Sequence, residues 1–168
     1  MRLGALNEAN RAAFVAALGA IFEHSPWVAE SAFSARPFAS VDALGAAMTA
    51  AVRAAPAEAQ MALLRAHPEL AGAAARAGEM TSSSADEQRI AGLLSLSEAE
   101  LARFRRLNAA YRERFGFPFI IAVRRHTKES LLLAFEMRLR HDRNIEIENA
   151  LGEVFAIARM RLEAIVVE

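Results

Sequence analysis

The chain has 168 residues, 54% of them apolar and 24% charged, which suits one domain with a sizeable core. Twenty basic residues balance twenty acidic ones, which argues against a nucleic-acid partner and against a polybasic membrane anchor. Cys is absent, so disulfides, zinc–thiolate centres and thiol catalysis are excluded; no apolar run approaches the roughly 20 residues a bilayer span needs, and Met1-Arg2-Leu3-Gly4 lacks the apolar stretch of a secretory leader, so the expectation is a cytoplasmic protein with no membrane partner.

Ala contributes 39 residues and Arg 19, against a single Lys, Lys128. Both are strong helix formers, so the expected fold is all-α: one domain over 1–168, an irregular bundle of seven to eight helices. The excess of Arg over Lys matches the coding habit of a GC-rich bacterial genome. Phe14, Leu18, Ile21 and Phe22 recur at helical spacing and predict a first helix over 7–22. Ser25-Pro26-Trp27 reads as a cap followed by Pro at the first helical position, opening a short helix in which Trp27 is a core anchor. Arg36-Pro37-Phe38 breaks the chain. Ser40 is the expected cap of a third helix through Val52, with Val41, Leu44, Met48 and Val52 on one face. Pro56 opens a fourth, carrying Met61, Leu63 and Leu64 and stopping near His67-Pro68. Residues 69–83 read as a loop, and a fifth helix is predicted from Ser84 to Leu93. Ser97 and Glu100 form a capping box for a sixth reaching Phe115, which Gly116 ends. Thr127 and Asn144 are the expected caps of the last two helices, the first running to Arg140. Residues 117–123 form one extended apolar segment with no sheet to join. Threaded through a bundle, its peptide groups need partners other than strands.

Few residues offer chemistry. Of four His, none forms H-E-x-x-H and no pair has metal-ligand spacing; no P-loop, G-x-G-x-x-G or G-x-S-x-G occurs. His67, at a predicted helix end before Pro68, should present its imidazole, the side chain best suited to proton exchange near neutral pH. It could equally be a helix-terminal His that complements the dipole. Ser84 and Glu87 match S-x-x-E, which a capping box explains without function. Alternatively, this hydroxyl-rich helix start binds an anion, with Glu87 as carboxylate and Gln88 as a two-way amide able to read an imide or urea group. The run Phe117-Pro118-Phe119-Ile120-Ile121-Ala122 is core, or a stiff irregular path whose peptide groups meet a planar polar heterocycle. Asn108 and Tyr111, on the preceding helix, would steady it. His126 and His141 lie among charges and are expected to be solvated. Of the C-terminal arginines, one facing inward could hold a carboxylate.

The segments form an ordered series: Ser25-Pro26-Trp27; Arg36-Pro37-Phe38; His67-Pro68-Glu69-Leu70-Ala71-Gly72; Ser84-x-x-Glu87-Gln88-x-x-Ala91-Gly92-Leu93; Leu107-Asn108-x-x-Tyr111-x-x-Arg114-Phe115-Gly116-Phe117-Pro118-Phe119-Ile120; Arg143-Asn144 with Glu148; and Ile157-Ala158-x-x-Arg161-Leu162. This series resembles the 2-oxo-4-hydroxy-4-carboxy-5-ureidoimidazoline (OHCU) decarboxylases, which complete the conversion of urate to allantoin. The resemblance covers nearly the whole chain. It implies an all-helical, cofactor-independent carboxy-lyase that forms a homodimer and takes a small-molecule substrate. Carried over motif by motif, His67 is the proton donor and Glu87 its acidic partner. Pro68, Ser84, Ala85, Asp86, Gln88, Phe119, Ile120, Ile121, Ala122 and Val123 line the substrate, and Arg161 anchors its anionic group. The chain departs from the pattern around Arg143-Asn144, where Arg138, Arg140 and Arg143 compete and none is assigned. Its end, Val166-Val167-Glu168, is not a peroxisomal signal.

The implied chemistry needs no borrowed electron sink, because the carboxylate sits beside a ring C=N bond that accepts the electrons. Two other readings stand beside it: a non-enzymatic helical interaction module, and a hydrolase of a related purine-derived ring in which His67 and Glu87 activate water.

Overall fold

In the computed structural model, residues 1–72, 81–93 and 95–168 are described. They contain nine α-helices, two 3-10 turns and no strand. An isolated parallel bridge joins Arg2 to Val167. The chain divides into two compact units, Met1–Ala66 with Phe155–Glu168, and His67–Val154.

The first unit holds α1 (Leu3–Glu8), α2 (Arg11–Leu18), α3 (Trp27–Ala32), α4 (Val41–Ala54) and α5 (Ala57–Arg65), with the end of α9 (Arg143–Ile165). The single helix predicted over 7–22 is therefore two, and it stops early. Asn10 is extended, with ψ 166°, and its side chain accepts the Ala13 N–H at 2.9 Å. An Asn able to cap competes with the helix interior, and here the cap prevails. Ile21 and Phe22 are buried, but outside any helix.

Arg36-Pro37-Phe38 has a structural role. The Arg36 guanidinium donates to the carbonyls of Asn7 (3.0 Å) and Ala9 (2.6 Å), where α1 ends, and lies 3.5 Å from the centre of the Phe33 ring. Asn7 exchanges hydrogen bonds with the Phe38 backbone, accepting at 2.8 Å and donating at 2.9 Å. Trp27 is half-buried rather than a core anchor; Val28 and Ala29 fill the interior beside it. In α4, Ser40 caps as expected and Leu44, Met48 and Val52 are buried.

The second unit holds the loop at 67–72, α6 (Ser82–Ile90), α7 (Glu98–Phe115), α8 (Lys128–Arg138) and the start of α9. Most of the loop predicted over 69–83 lies outside the described residues. Ser97 and Glu100 make the predicted capping box, and Gly116 closes α7 with φ +79°. The chain then runs without regular structure through 117–122, every residue buried, into a 3-10 turn at Val123–Arg125. Aromatic packing holds this run. The Tyr111 ring lies 4.6, 5.7, 5.3 and 5.7 Å from the centres of Phe115, Phe117, Phe119 and Phe135, and Phe119 stacks on Phe135 at 3.9 Å. α8 ends at Arg138, two residues before the expected Arg140, and α9 starts at Arg143.

A Cβ at Gly116 would meet nothing within 4 Å, so only its left-handed backbone resists substitution. Gly116→Ala is expected to cost about 1 kcal/mol, with Gly116→Asn closer to wild type, read from urea unfolding midpoints.

Candidate active site

Three elements of the second unit carry the site residues read from the sequence, apart from Arg161. In the first, His67 follows α5 by two residues, and Pro68, lacking an N–H, stops the helix from continuing. The imidazole is buried, 7% exposed, rather than presented to solvent as the helix-end geometry suggested. The loop after it is pinned from several directions. The Gln88 side chain accepts the Ala71 N–H at 2.9 Å and donates to the Glu69 carbonyl at 3.2 Å. Asn108 donates to the Leu70 carbonyl at 2.9 Å, and Arg112 to the Glu69 carboxylate at 2.9 Å. The turn is tight enough that a Cβ at Gly72 would sit 2.7 Å from Glu69 Cβ. Asn108 Oδ1 is buried with no hydrogen-bond partner among the described residues.

The second element is α6. Its cap is Thr81, whose hydroxyl accepts the Ser84 N–H at 3.3 Å, so the capping-box reading of Ser84 and Glu87 is wrong. Both lie inside the helix. Ser84, Glu87 and Gln88, spaced i, i+3, i+4, share one face and are all buried. A fully polar buried face is expensive unless it is satisfied or functional. Of the other predicted lining residues on α6, Ala85 is half-buried, while Asp86 is exposed and pairs with Arg89 at 2.9 Å.

The third element is the run containing Phe119, Ile120, Ile121, Ala122 and Val123, and α6 packs against the 3-10 turn at its end. Its backbone is held by side chains and local turns, as its lack of a sheet required. The Ile120 carbonyl accepts from Arg138 Nη1 at 2.7 Å, and the Ala122 N–H donates to Glu153 Oε2 at 2.8 Å. The carbonyls of Ala122 and Val123 accept from the amides of Arg125 (3.0 Å) and His126 (3.1 Å). Among the described residues, no hydrogen bond engages the N–H or the C=O of buried Ile121.

Behind this run lies a network the sequence reading missed. Glu146, fully buried, accepts from Arg138 Nε at 2.7 Å and from the Tyr111 hydroxyl, and faces His141 Nδ1 at 2.8 Å. Asn149 completes it, 3.4 Å from Glu146 Oε2. His141 is thus half-buried and paired, not solvated. A signal was present: Glu146 stands in register with buried Ala150 and Val154, an acid where α9 should be apolar. Burial pushes the Glu146 carboxyl up, but hydrogen bonds from Arg138 and Tyr111 and the nearby guanidinium charge outweigh it and hold the group below its ordinary range. Burial, with Glu146 beside it, drives the Tyr111 phenol well above its ordinary value.

Arg161 belongs to the first unit, where it is buried and donates to Glu23 Oε2 at 3.0 Å and to the Ile21 carbonyl at 3.3 Å. Glu23 sits in the turn after α2, and no sequence periodicity marked it. Among the described residues, no three His, Cys, Asp or Glu side chains gather as a metal site, and no helix is long and apolar enough to cross a membrane.

Fold and site together define an all-helical protein with a buried imidazole after α5 and a buried carboxylate and amide on the helix that packs against the end of an irregular apolar segment. The OHCU decarboxylase family matches residues 7–163, across both units. The 2-oxo-4-hydroxy-4-carboxy-5-ureidoimidazoline decarboxylase of Haloferax volcanii is 48% identical over 162 residues, 96% of this chain and 94% of its own length. The uric acid degradation bifunctional protein PucL of Bacillus subtilis is 41% identical over 97% of this chain, which spans 32% of that protein. Among solved structures, an (S)-allantoin synthase superimposes with TM-score 0.77 at 34% identity, over 99% of this chain and 54% of that one. An OHCU decarboxylase crystallised in the presence of (S)-allantoin shares the fold, with TM-score 0.68 at 18% identity over 93% and 97% of the two chains. The chain belongs to the OHCU decarboxylase family.

The lowered Glu146 value gives a pH prediction with a definite sign. The ionised carboxylate stabilises the fold fully above its ordinary value of 4.5, and that contribution drains away as pH falls through the lower folded value. Glu146→Gln leaves the Arg138 charge uncompensated and should cost about 3–5 kcal/mol near neutrality. Below pH 4.5 the wild-type melting temperature should fall faster than the variant's, so that the two curves converge.

Proposed function

We propose that the chain catalyses the decarboxylation of 2-oxo-4-hydroxy-4-carboxy-5-ureidoimidazoline to (S)-allantoin in urate degradation, with His67 and Glu87 as its acid–base pair and no cofactor. The observation that carries this reading is the buried Ser84, Glu87 and Gln88 face of α6, tied through Gln88 to the loop that follows His67, beside a segment whose Ile121 peptide groups have no hydrogen-bond partner among the described residues. A buried peptide group left unpaired costs about 1–3 kcal/mol, so a donor and an acceptor in this state suit a ligand that alternates N–H and C=O. The ureido-bearing ring is such a ligand.

The reaction follows from the substrate. The C–CO2 bond breaks and its electron pair becomes the new ring C=C bond, while the adjoining C=N electrons move onto nitrogen, which takes a proton. The hydroxyl on the former carboxyl-bearing carbon then collapses to a carbonyl as the ureido-bearing carbon takes a proton on one face. Phe119, Ile120 and Pro68 supply apolar surroundings that disfavour the charged carboxylate relative to neutral CO2. Glu87 orients His67 or accepts the substrate hydroxyl proton, and His67 delivers the proton that sets the handedness. Pro68, Ser84, Ala85, Asp86, Gln88 and residues 119–123 form the lining. For Arg161 the support is chemical: a buried guanidinium whose fork Glu23 already orients is suited to an anionic group. The working form is a cytoplasmic homodimer, with a solution mass near twice 18.3 kDa.

The test supplies freshly generated substrate and follows allantoin by circular dichroism. Wild type should give rapid single-handed product with stoichiometric CO2. His67→Ala should remain folded and lose roughly 10²–10⁴-fold in rate. Glu87→Gln should lose a comparable factor with little change in melting temperature, because Thr81, not Glu87, satisfies the helix start. Full activity in His67→Ala refutes the acid–base assignment, and product without CO2 release points to the hydrolase.

A further inference from the structure

We propose that Arg138 and Glu153 are a pair of positioning residues that aim the Ile121 N–H and C=O at the substrate. This rests on the reading above that residues 119–123 line it. The argument starts from the planarity of the peptide unit. A C=O and the following N–H share one rigid trans plane and point in opposite directions. The Ile120 carbonyl, which Arg138 Nη1 holds at 2.7 Å, shares its plane with the Ile121 N–H. The Ala122 N–H, which Glu153 Oε2 holds at 2.8 Å, shares its plane with the Ile121 C=O. Each side chain therefore grips the far edge of a peptide plane whose near edge is one of the two Ile121 groups that have no partner among the described residues. A cationic donor on one plane and an anionic acceptor on the next leave one N–H and one C=O, adjacent and fixed, on a segment with no ladder to fix them.

The grip on the first plane is itself braced. Glu146 holds Arg138 through Nε at 2.7 Å, and the guanidinium also lies 4.6 Å from the centre of the Phe119 ring. Arg138 thus touches two successive residues of the segment while its other edge is locked by a buried carboxylate. Charge polarises both planes in a useful sense. A cation on the Ile120 oxygen makes the Ile121 N–H a better donor, and a carboxylate on the Ala122 N–H makes the Ile121 oxygen a better acceptor. The group recognised is accordingly one that offers a C=O and an N–H side by side, as a ureido or imide edge does.

The experiment compares steady-state constants of the intact enzyme and its variants on freshly generated substrate, with melting temperatures in parallel. Glu153→Ala should raise KM at least fivefold and lower kcat/KM at least tenfold. Glu153→Gln, whose amide oxygen can accept the same hydrogen bond, should restore most of the loss. Arg138→Lys, which keeps a charge for Glu146 but not the fork that also reaches Ile120, should show the same KM-weighted defect. Should Arg138→Lys fail to fold, the Ala and Gln variants at 153 decide alone. A Glu153→Ala protein that melts earlier but keeps the wild-type KM overturns the proposal, since a merely structural role predicts that outcome. His67→Ala separates the two levels: if it is inactive while both clamp variants behave as wild type, the clamp alone is wrong, whereas full activity in all three overturns the site reading beneath it.

Discussion

A buried backbone without helix or sheet must find hydrogen-bond partners one group at a time. That constraint organises the second unit. Residues 117–122 pass through its interior with every side chain buried and no neighbouring strand, so side chains must do what a ladder would have done. Arg138 and Glu153 meet it at Ile120 and Ala122, Glu153 from a half-buried position and Arg138 by bringing a charge inside. An interior guanidinium then needs a counter-charge, which Glu146 supplies, and an interior carboxylate needs further donors, which Tyr111 and His141 help to provide. The network follows step by step from one irregular stretch of chain. The aromatic cluster around Tyr111 gives the stretch its apolar anchorage, so the same phenol serves as packing and as a donor to the carboxylate.

Such a network adds little net stability. Removing two charges from water costs several kcal/mol apiece, and replacement by well-packed apolar groups is often neutral or better. Its value lies in direction. Leucines in place of Arg138 and Glu153 would fill space but leave the Ile120 carbonyl and Ala122 amide unpaired and both peptide planes free to rock. Gln88 does comparable work for the loop after His67. One amide accepts from Ala71 and donates to Glu69, so that α6 and the loop after His67 behave as one piece. Gln88 thereby couples the helix carrying Glu87 to the loop after His67, while its own face of α6 remains polar and buried.

The legible parts of this protein are those whose physics is local. Ser40, Ser97 with Glu100, Gly116 and Thr127 act within a few residues of themselves and begin or end helices where the pattern indicates. Asn10 was illegible because alanines on both sides continue the helical pattern, and only the local balance of a side-chain cap against a helix interior breaks it. Thr81-Ser82-Ser83-Ser84 offers several hydroxyls in succession, so the cap position could be read three residues late; the true cap, Thr81, puts Ser84 and Glu87 inside. His67, Glu87 and the 119–123 run stood out through the motifs that carry the family resemblance. Glu146 and Arg138 did not, since their meaning depends on Tyr111, thirty-five positions earlier than Glu146. Nothing in a one-dimensional pattern brings those positions together.

An irregular segment is, finally, the form of backbone best suited to this substrate class. Within a helix, amides and carbonyls pair with one another except at the ends, where donors gather at one terminus and acceptors at the other. A strand inside a sheet is equally committed. Away from the free edge of a sheet, a chain outside both is what can present one N–H and one C=O from the same residue to a flat ring with alternating donors and acceptors. Left to itself it would present them in many directions, and a ring held loosely gains little from being held. Rigidity therefore has to come from outside the segment, from charges strong enough to fix a single peptide plane. Around residues 119–123 that role falls to a buried Arg138 and a half-buried Glu153, each fixed to one peptide plane.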